Sequence, residues 1–317
     1  DPRELERIGS RALLLEVRDR AELRAAPTGS LALHGASPRV AGALPRHGKP
    51  NRAAGAAQLA WIDHALELVR RGFADAIVTG PVSKLAIAES RAPGSASFRG
   101  HTEHLAEQLG AQEVVMAFWS RRLVTSLVTT HLPLARVPSA IDEAGVARAS
   151  FWLAKLLHEL GHTQPSLAVA ALNPHAGEGG LLGTEEQTAI EPGLRLARRR
   201  LAACGLDATL QGPLGAESAF RLAASGSFDG VVAMYHDQAT IPSKLLAFGD
   251  AVNVTLGLPI VRTSVDHGPA YDRAGRGEAD ASGMRGAIAL AAKLARARRR
   301  GAAADEGLSA RGSRSRA

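Results

Sequence analysis

Short apolar runs alternate with amphipathic stretches along most of the chain, a pattern typical of a mostly parallel sheet covered by helices. A turn is expected at residues 120–122, and Gly205 is expected to end a helix. Helical spacing of apolar residues predicts helices over residues 54–71, 139–160, 184–203 and 284–299. Continuous apolar runs predict buried strands over residues 75–80, 114–118, 123–129, 166–172 and 228–234. The sequence therefore predicts an α/β fold.

The N-terminal part of the chain departs from this pattern. Residues 27–50 have the composition of a loop, and clear α/β periodicity begins only at Ala54. We therefore expect the opening strand of the fold to be missing. A Gly-x-Gly-x-x-Gly fingerprint after a strand, the mark of a conventional dinucleotide-binding fold, is also absent from the sequence.

Composition excludes several classes of protein. With 45% apolar and 22% charged residues, the chain resembles an ordinary water-soluble globular protein. No apolar run approaches the roughly 18 residues that span a bilayer, so no membrane partner is expected. One cysteine, Cys204, excludes an internal disulfide framework and a cysteine-rich zinc site. A reducing cytoplasm is the expected location.

The net charge of +7 arises mainly at the C-terminus. Residues 293–317 contain eight basic and two acidic residues, among many Ala, Gly and Ser. This composition predicts a disordered basic tail over residues 301–317. Since the rest of the chain is nearly neutral and poor in aromatic residues, no nucleic-acid partner is expected.

Three histidines, His131, His175 and His236, each come shortly after an apolar run, where open α/β sheets place their ligand sites. Imidazole nitrogen binds zinc and related divalent ions, and three protein ligands with open positions are typical of a catalytic metal. The alternative is three unrelated rings that backbone hydrogen bonds satisfy. Both readings stay open at this point.

Two groups of polar residues suit an anion. His101 and Thr102 open a helix predicted over residues 103–109, and Thr102 is well placed as its N-cap. The N-terminus of this helix would attract phosphate or carboxylate. Lys244, Asn253 and Arg262 lie on otherwise apolar segments. A charge such as Arg262 inside an apolar strand needs a partner. For the other side chains, solvation without a binding role is the alternative.

Seven motifs together resemble the 4-hydroxythreonine-4-phosphate dehydrogenase family of pyridoxal phosphate biosynthesis. The resemblance covers about residues 54–295. In chain order the motifs are TGPVSK (79–84), GHTE (100–103), TTHLPL (129–134), NPHAGEG (173–179), MYHDQ (234–238), NVTLGLP (253–259) and RTSVDHG (262–268).

The resemblance implies roles for the residues already singled out. The family's metal ligands fall on His131, His175 and His236, and the ion would be zinc, magnesium or cobalt. Its substrate-binding residues fall on His101, Thr102, Lys244, Asn253 and Arg262. The resemblance also implies a homodimer with a shared active site, to which one subunit supplies His131 and His175 and its partner supplies His236.

The implied fold is that of isocitrate and isopropylmalate dehydrogenases, with two α/β subdomains and an active-site cleft between them. Residues 1–100 and 225–300 would form the first subdomain, and residues 101–224 the second, with the dimer contacts. Such enzymes bind NAD or NADP without the usual fingerprint. His267, Gly268 and Asp272 would lie against the cofactor, with Asp272 suited to ribose hydroxyls.

The implied reaction oxidises the C3 hydroxyl of 4-phosphooxy-L-threonine to 2-amino-3-oxo-4-phosphooxybutanoate, which decarboxylates to 3-amino-2-oxopropyl phosphate. Asp237 and Lys84 are candidates for the general base. An alternative for Lys84 is a structural lysine at a strand end.

The chain departs from the family pattern in its missing opening segment and at Pro269, Ala239 and Glu217. Three alternatives therefore stay open. The chain could oxidise 4-phospho-D-threonate or 4-phospho-D-erythronate, towards which residues 241–246 lean slightly. It could act on a cis-dihydrodiol of an aromatic acid, or it could be a catalytically silent metal-binding or RNA-binding protein.

Overall fold

The computed structural model describes residues 14–25, 31–34, 46, 48–247 and 249–314, and for residues 14–16, 31–33 and 302–314 it describes the backbone alone. The described residues form two compact units. The first unit takes its residues from Asp1–Ile77, Pro81–Leu105 and His267–Asp280. The second takes its residues from Val78–Gly80, Ala106–Asp266 and Ala281–Ala317.

Strands β4 to β10 of the second unit belong to a mixed sheet of eight strands in the order β3-β10-β9-β4-β5-β8-β6-β7. Its strands are β3 (Ala76–Thr79), β4 (Val115–Trp119), β5 (Val124–Leu127), β6 (Ser166–Ala170), β7 (Thr209–Leu214), β8 (Gly230–Ala233), β9 (Val252–Leu256) and β10 (Val261–Val265). Strands β5, β8, β6 and β7 pair in parallel, while β5 with β4, β4 with β9, and β9 with β10 pair antiparallel.

The first unit contains a parallel two-stranded sheet, β1 (Leu14–Val17) with β2 (Leu31–His34). The helices of the chain are α1 (Arg20–Ala25), α2 (Arg52–Arg70), α3 (Lys84–Ser90), α4 (His101–Leu109), α5 (Val137–Ala140), α6 (Glu143–Leu160), α7 (Glu191–Ala203), α8 (Ala216–Ala224), α9 (His236–Ala247) and α10 (Ser282–Arg314). In the part of the chain with described coordinates, no helix combines the length and apolarity needed to cross a bilayer.

The central parallel strands are buried because both of their faces are covered. Every residue of β5 and of β8 is buried. On one face, helix α6 packs so closely that a Cβ on Gly230 would lie 3.2 Å from Leu153 Cδ2. A cluster of buried residues that includes Phe118, Leu127, Phe220 and Val231 forms a core of the same sheet.

The predicted α/β fold is confirmed, and each predicted helix and strand has a counterpart. The helix expected over residues 139–160 is interrupted at Ile141, because Asp142 adopts an extended backbone and caps α6 by accepting a hydrogen bond from Gly145 N at 2.6 Å. Gly205, at φ +64°, follows the end of α7 as expected. A π-helical turn, Glu186–Ile190, leads into α7.

Three expectations need correction. Strands β1 and β2 precede Ala54, and β2 lies within residues 27–50, where a loop was expected. Four-residue strands are too short to show a clear period. Helix α10 continues to Arg314 through the residues expected to be a disordered tail, which are rich in the strong helix formers Ala and Arg. The strands that follow residue 225 group with residues 106–224, because all of them share one hydrogen-bonded sheet.

Candidate active site

The three histidines follow three neighbouring parallel strands of the second unit. His131 follows β5, His236 follows β8 and His175 follows β6, and these strands are adjacent in the order β5-β8-β6. The carboxyl ends of parallel strands meet at one edge of a sheet, which is where α/β proteins place ligand sites. We call the ends of these strands, with His131, His175 and His236, the histidine edge.

His131 and His236 lie side by side within one chain. Their ring centroids are 5.4 Å apart and the rings are tilted by 44°. Nδ1 of His236 also lies 2.7 Å from Oδ1 of Asp237. A carboxylate only accepts, so this contact favours a proton on Nδ1, and in the neutral ring the lone pair for a ligand is then on Nε2.

His175 lies in a short turn, Pro174–Gly180, and its side chain is exposed. Its backbone is left-handed, with φ +51° and ψ +30°. In the described residues, no three His, Cys, Asp or Glu side chains come together as a metal-binding group. The structure thus brings His131 and His236 together, while it relates His175 to them through the strand order.

Two side chains that sequence reasoning missed tie the strand ends together. The hydroxyl of Thr129 donates to the carbonyl of Met234 at 2.7 Å and so links β5 to β8. Gln238 accepts from the backbone N–H of Met234 at 2.7 Å and donates to the carbonyl of Ala171 at 2.8 Å, which links β8 to β6. Thr129 lies in the motif TTHLPL and Gln238 in the motif MYHDQ. Their closeness in sequence to a histidine was the only signal that could have indicated their role.

Arg262 lies buried in β10, with only 4% of its surface exposed. Its two terminal nitrogens donate to the hydroxyls of Thr255 at 2.9 Å and of Thr79 at 2.7 Å. The charge in this apolar strand therefore has hydrogen-bond partners, and two of them are neutral hydroxyls. Across β9 and β10, Asn253 pairs with Ser264 and Thr255 pairs with Arg262. The two pairs are two residues apart along each strand, so all four side chains lie on one face of the sheet.

The remaining candidates of the second unit differ in exposure. Lys244 on α9 is half exposed, and its Nζ lies 3.6 Å from Oδ2 of Asp266. Oδ1 of Asn253 is buried and accepts no hydrogen bond from the described residues. An amide oxygen without a donor is costly to bury and would accept a bond from a bound ligand.

The first unit holds the other anion candidates. His101 and Thr102 begin α4, whose first backbone hydrogen bond runs from His104 N to Gly100 O at 3.0 Å. Thr102 therefore lies within the first turn and is not the N-cap that the sequence predicted. Lys84 begins α3, and its Nζ would lie 3.4 Å from a Cβ on Gly100. The ammonium group of Lys84 thus stands beside the N-terminus of α4.

The three cofactor candidates lie on one exposed loop of the first unit. Nδ1 of His267 contacts the carbonyl oxygen of Gly268 at 2.9 Å. Asp272 lies in the 3-10 turn Tyr271–Arg273 and pairs with Arg273 at 3.3 Å. The carboxylate is 74% exposed, so it is accessible to a ribose hydroxyl.

A family model and known relatives match most of this chain. The family model described as pyridoxal phosphate biosynthetic protein PdxA matches residues 7–291. The 4-hydroxythreonine-4-phosphate dehydrogenase of Geobacter metallireducens is 47% identical over 251 residues, which are 79% of this chain and 71% of that protein.

Two solved structures are similar to this chain. A 4-hydroxythreonine-4-phosphate dehydrogenase from Burkholderia phymatum has a TM-score of 0.76 and 36% identity, covering 92% of this chain and 85% of that one. A terephthalate 1,2-cis-dihydrodiol dehydrogenase from Burkholderia xenovorans LB400 has a TM-score of 0.61 and 28% identity, covering 89% of this chain and 97% of that one.

Proposed function

The chain belongs to the PdxA family of pyridoxal phosphate biosynthetic proteins, and on that premise we propose that it is a 4-hydroxythreonine-4-phosphate dehydrogenase. The resemblance seen in seven sequence motifs is thereby confirmed at the level of the family. The observation that carries the proposal to a site is the contact between His131 and His236, with Asp237 orienting the second ring.

The histidine edge suits a divalent metal ion. Two imidazoles stand next to each other, one of them with Nε2 prepared as a ligand, and His175 follows the neighbouring strand. Zinc, magnesium or cobalt held by His131, His175 and His236 would act as a Lewis acid and make the C3 hydroxyl of the substrate more acidic.

The pair formed by His131 and His236 also bears on how the metal ligands would be shared between subunits. The resemblance implied that His236 comes from the partner of the chain that supplies His131. Because both rings lie together in one chain, we propose that one chain supplies all three ligands.

The cationic and amide side chains would bind the charged ends of the substrate. Two threonine hydroxyls hold the planar guanidinium of Arg262 in place, and from this position it would donate to the phosphate or carboxylate of the substrate. Lys244 would add a positive charge and Asn253 an amide. His101 and Thr102 would supply the N-terminus of α4 to an anion. Each of these contacts would help to hold the substrate in place, and positioning is a large part of what a dehydrogenase must do.

The proposed reaction has two steps. Bound NAD or NADP would accept the hydride from C3 of 4-phosphooxy-L-threonine, while a base of this chain would take the hydroxyl proton. The product is 2-amino-3-oxo-4-phosphooxybutanoate. Cleavage of its bond to the carboxylate would then release carbon dioxide and leave an enolate, which takes up a proton at the former C2 to give 3-amino-2-oxopropyl phosphate. Lys84 and Asp237 are the candidate bases, and the contact of Asp237 with His236 favours an orienting role for Asp237.

We also propose that the enzyme is a homodimer whose partner subunit covers the histidine edge. Large apolar side chains are exposed after each of the three histidines, although such residues usually avoid water when they cluster. They are Leu132, Leu134, Leu181, Leu182, Ile241 and Leu245. A second copy of the chain that packs on these residues would exclude water from the reacting atoms.

Steady-state formation of NADH and NADPH tests the proposal. The enzyme is stripped with a chelator, reloaded with zinc, magnesium or cobalt, and given 4-phosphooxy-L-threonine, 4-phospho-D-threonate, 4-phospho-D-erythronate or a terephthalate cis-dihydrodiol. We expect metal-dependent turnover of 4-phosphooxy-L-threonine, and none in His131→Ala or His236→Ala enzyme. A higher kcat/KM for another compound would reassign the substrate, and no turnover of any of them would overturn the proposal.

A further inference from the structure

The turn that carries His175 has an unusual backbone. Residues 175–179 all have positive φ, at +51°, +54°, +79°, +45° and +68°. Three of them, His175, Ala176 and Glu178, are not glycine, and side chains with a Cβ disfavour this region. Such a run persists only where the surroundings determine it.

The side chain of Glu186 lies beneath this turn and has 2% of its surface exposed. Its Oε1 accepts from the backbone N–H groups of Leu172 at 2.9 Å and of Asn173 at 2.8 Å. Its Oε2 accepts from the side-chain amide of Asn173 at 2.9 Å. A Cβ on Gly177 would lie 2.7 Å from the same Oε2, so the turn rests directly on the carboxylate.

The side chain of Asn173 forms hydrogen bonds with the carboxylates of both Glu185 and Glu186. Its side-chain nitrogen donates to Glu186 and also to Oε2 of Glu185 at 2.7 Å. The hydrogen bond from Asn173 lowers the pKa of Glu185 below its ordinary value. Asn173 lies two residues before His175, between the end of β6 at Ala170 and the start of the left-handed run.

The donors around Glu186 explain how a carboxylate can be buried here. A charge taken out of water must be matched by hydrogen bonds, and three N–H groups supply them. Since all three donors belong to Leu172 and Asn173, the carboxylate stabilises one arrangement of the chain between β6 and His175. Glutamine has the same shape as glutamate, but its side-chain nitrogen would replace Oε2 and would face the side-chain amide of Asn173 donor to donor.

We propose that Glu186 is a positioning residue for His175, which it fixes by holding Asn173 and the left-handed turn. The inference rests on the proposed function, in which His175 is a metal ligand. Glu186 touches neither substrate nor metal in this role. It acts by making the backbone before His175 rigid, so that the imidazole of His175 is held in one orientation.

Cobalt(II) binding to the purified, chelator-stripped enzyme tests this role. We expect Glu186→Gln to weaken the affinity roughly 10- to 100-fold, as losses of supporting contacts around metal ligands do. We also expect its cobalt absorption bands to change in position or intensity. The matched control is Glu191→Gln, an exposed glutamate five residues further on, which should bind cobalt as the wild type does.

Thermal unfolding separates positioning from general damage, and the titrations are run well below the transition of each variant. If Glu186→Gln does not fold, Asn173→Ala removes the side-chain link and leaves the Glu186 carboxylate in place, and it should weaken cobalt binding in the same direction. Wild-type affinity and spectrum in a folded Glu186→Gln or Asn173→Ala enzyme would overturn the inference.

Alanine variants of the histidines distinguish this failure from a failure of the proposed function. If His131→Ala, His175→Ala and His236→Ala each weaken cobalt binding while Glu186→Gln does not, only the positioning role is wrong. If none of the three histidine variants weakens it, the proposed metal site itself is wrong and the inference falls with it.

Discussion

Oδ1 of Asp237 lies 2.7 Å from Nδ1 of His236, between consecutive residues at the start of helix α9. The carboxylate is 70% exposed and the imidazole 36% exposed, so the contact is open to solvent. It still decides which ring nitrogen carries the proton, because a carboxylate has no hydrogen to give. The ring of His131 lies beside that of His236, with the two ring centroids 5.4 Å apart.

The first prediction separates two roles for Asp237. As an orienting residue, Asp237→Ala should weaken cobalt affinity roughly 10- to 100-fold, and Asp237→Asn should weaken it less because its amide oxygen still accepts from Nδ1. At saturating cobalt, kcat should recover in both variants. A general base would behave differently, with unchanged affinity and a lasting loss of kcat in both.

The second prediction concerns Lys244. Replacement by Met keeps the length of the side chain and removes its charge. If Lys244 binds the phosphate or carboxylate of the substrate, KM should rise roughly 30-fold, since a lost charge-assisted contact costs about 2 kcal/mol. KM for NAD should stay unchanged. The control is Lys293→Met, an exposed lysine on α10, and an equal KM in the two variants would refute the assignment.

The third prediction is a pH dependence of stability at Glu113. Two guanidinium nitrogens of Arg200 donate to this carboxylate at 2.9 and 2.6 Å, and Trp152 donates at 3.0 Å. The hydrogen bonds from Arg200, followed by that from Trp152, hold the pKa of Glu113 below its ordinary value of 4.5 against the opposing effect of burial. A depressed pKa stabilises the fold above the ordinary value, and this stabilisation disappears as the pH falls through the folded pKa.

Glu113→Gln should therefore lower the free energy of unfolding by about 1 kcal/mol at pH 7, a small value because both partners are about one-third exposed. The difference from wild type should be constant above about pH 5.5 and should shrink below the ordinary pKa of 4.5. Urea unfolding between pH 3 and 7 measures it. Glu217→Gln removes an exposed pair with Arg221 and serves as the control. A difference that grows on acidification would contradict the assignment.

The sequence predicted the parts of the site that follow from strand ends. His131, His175 and His236 could be placed on one edge because each follows a buried run, and parallel strands end together. The buried partner of Arg262 could also be anticipated, since a charge in an apolar strand demands one. Its identity could not, because Thr79 lies 183 positions away in the chain.

What the sequence did not reveal depends on tertiary contacts. Glu186 reads as one more polar residue at the start of a helix, and nothing local distinguishes a buried carboxylate from a solvated one. The left-handed backbone of His175 runs against the preference of its own side chain, so no propensity predicts it. The proximity of His131 and His236 in one chain required the pairing of β5 with β8.

The last prediction tests which chain supplies the metal ligands. Differently tagged His131→Ala and His236→Ala chains are co-expressed, and the mixed dimer is isolated through both tags. If each site took His131 from one subunit and His236 from the other, one site of the mixed dimer would be intact, and roughly half of wild-type metal content and activity would return. Because the two rings lie 5.4 Å apart in one chain, we expect neither to return.

A mixed dimer of wild-type and His131→Ala chains is the matched control, since it keeps one complete set of ligands and should hold about half of the wild-type metal. Pairing His131→Ala with His175→Ala extends the test to the third ligand. We expect no recovery here either, because β6 and β5 both neighbour β8 in the same sheet. Recovery in this pair alone would mean that His175 reaches the site from the partner subunit, while His131 and His236 remain together.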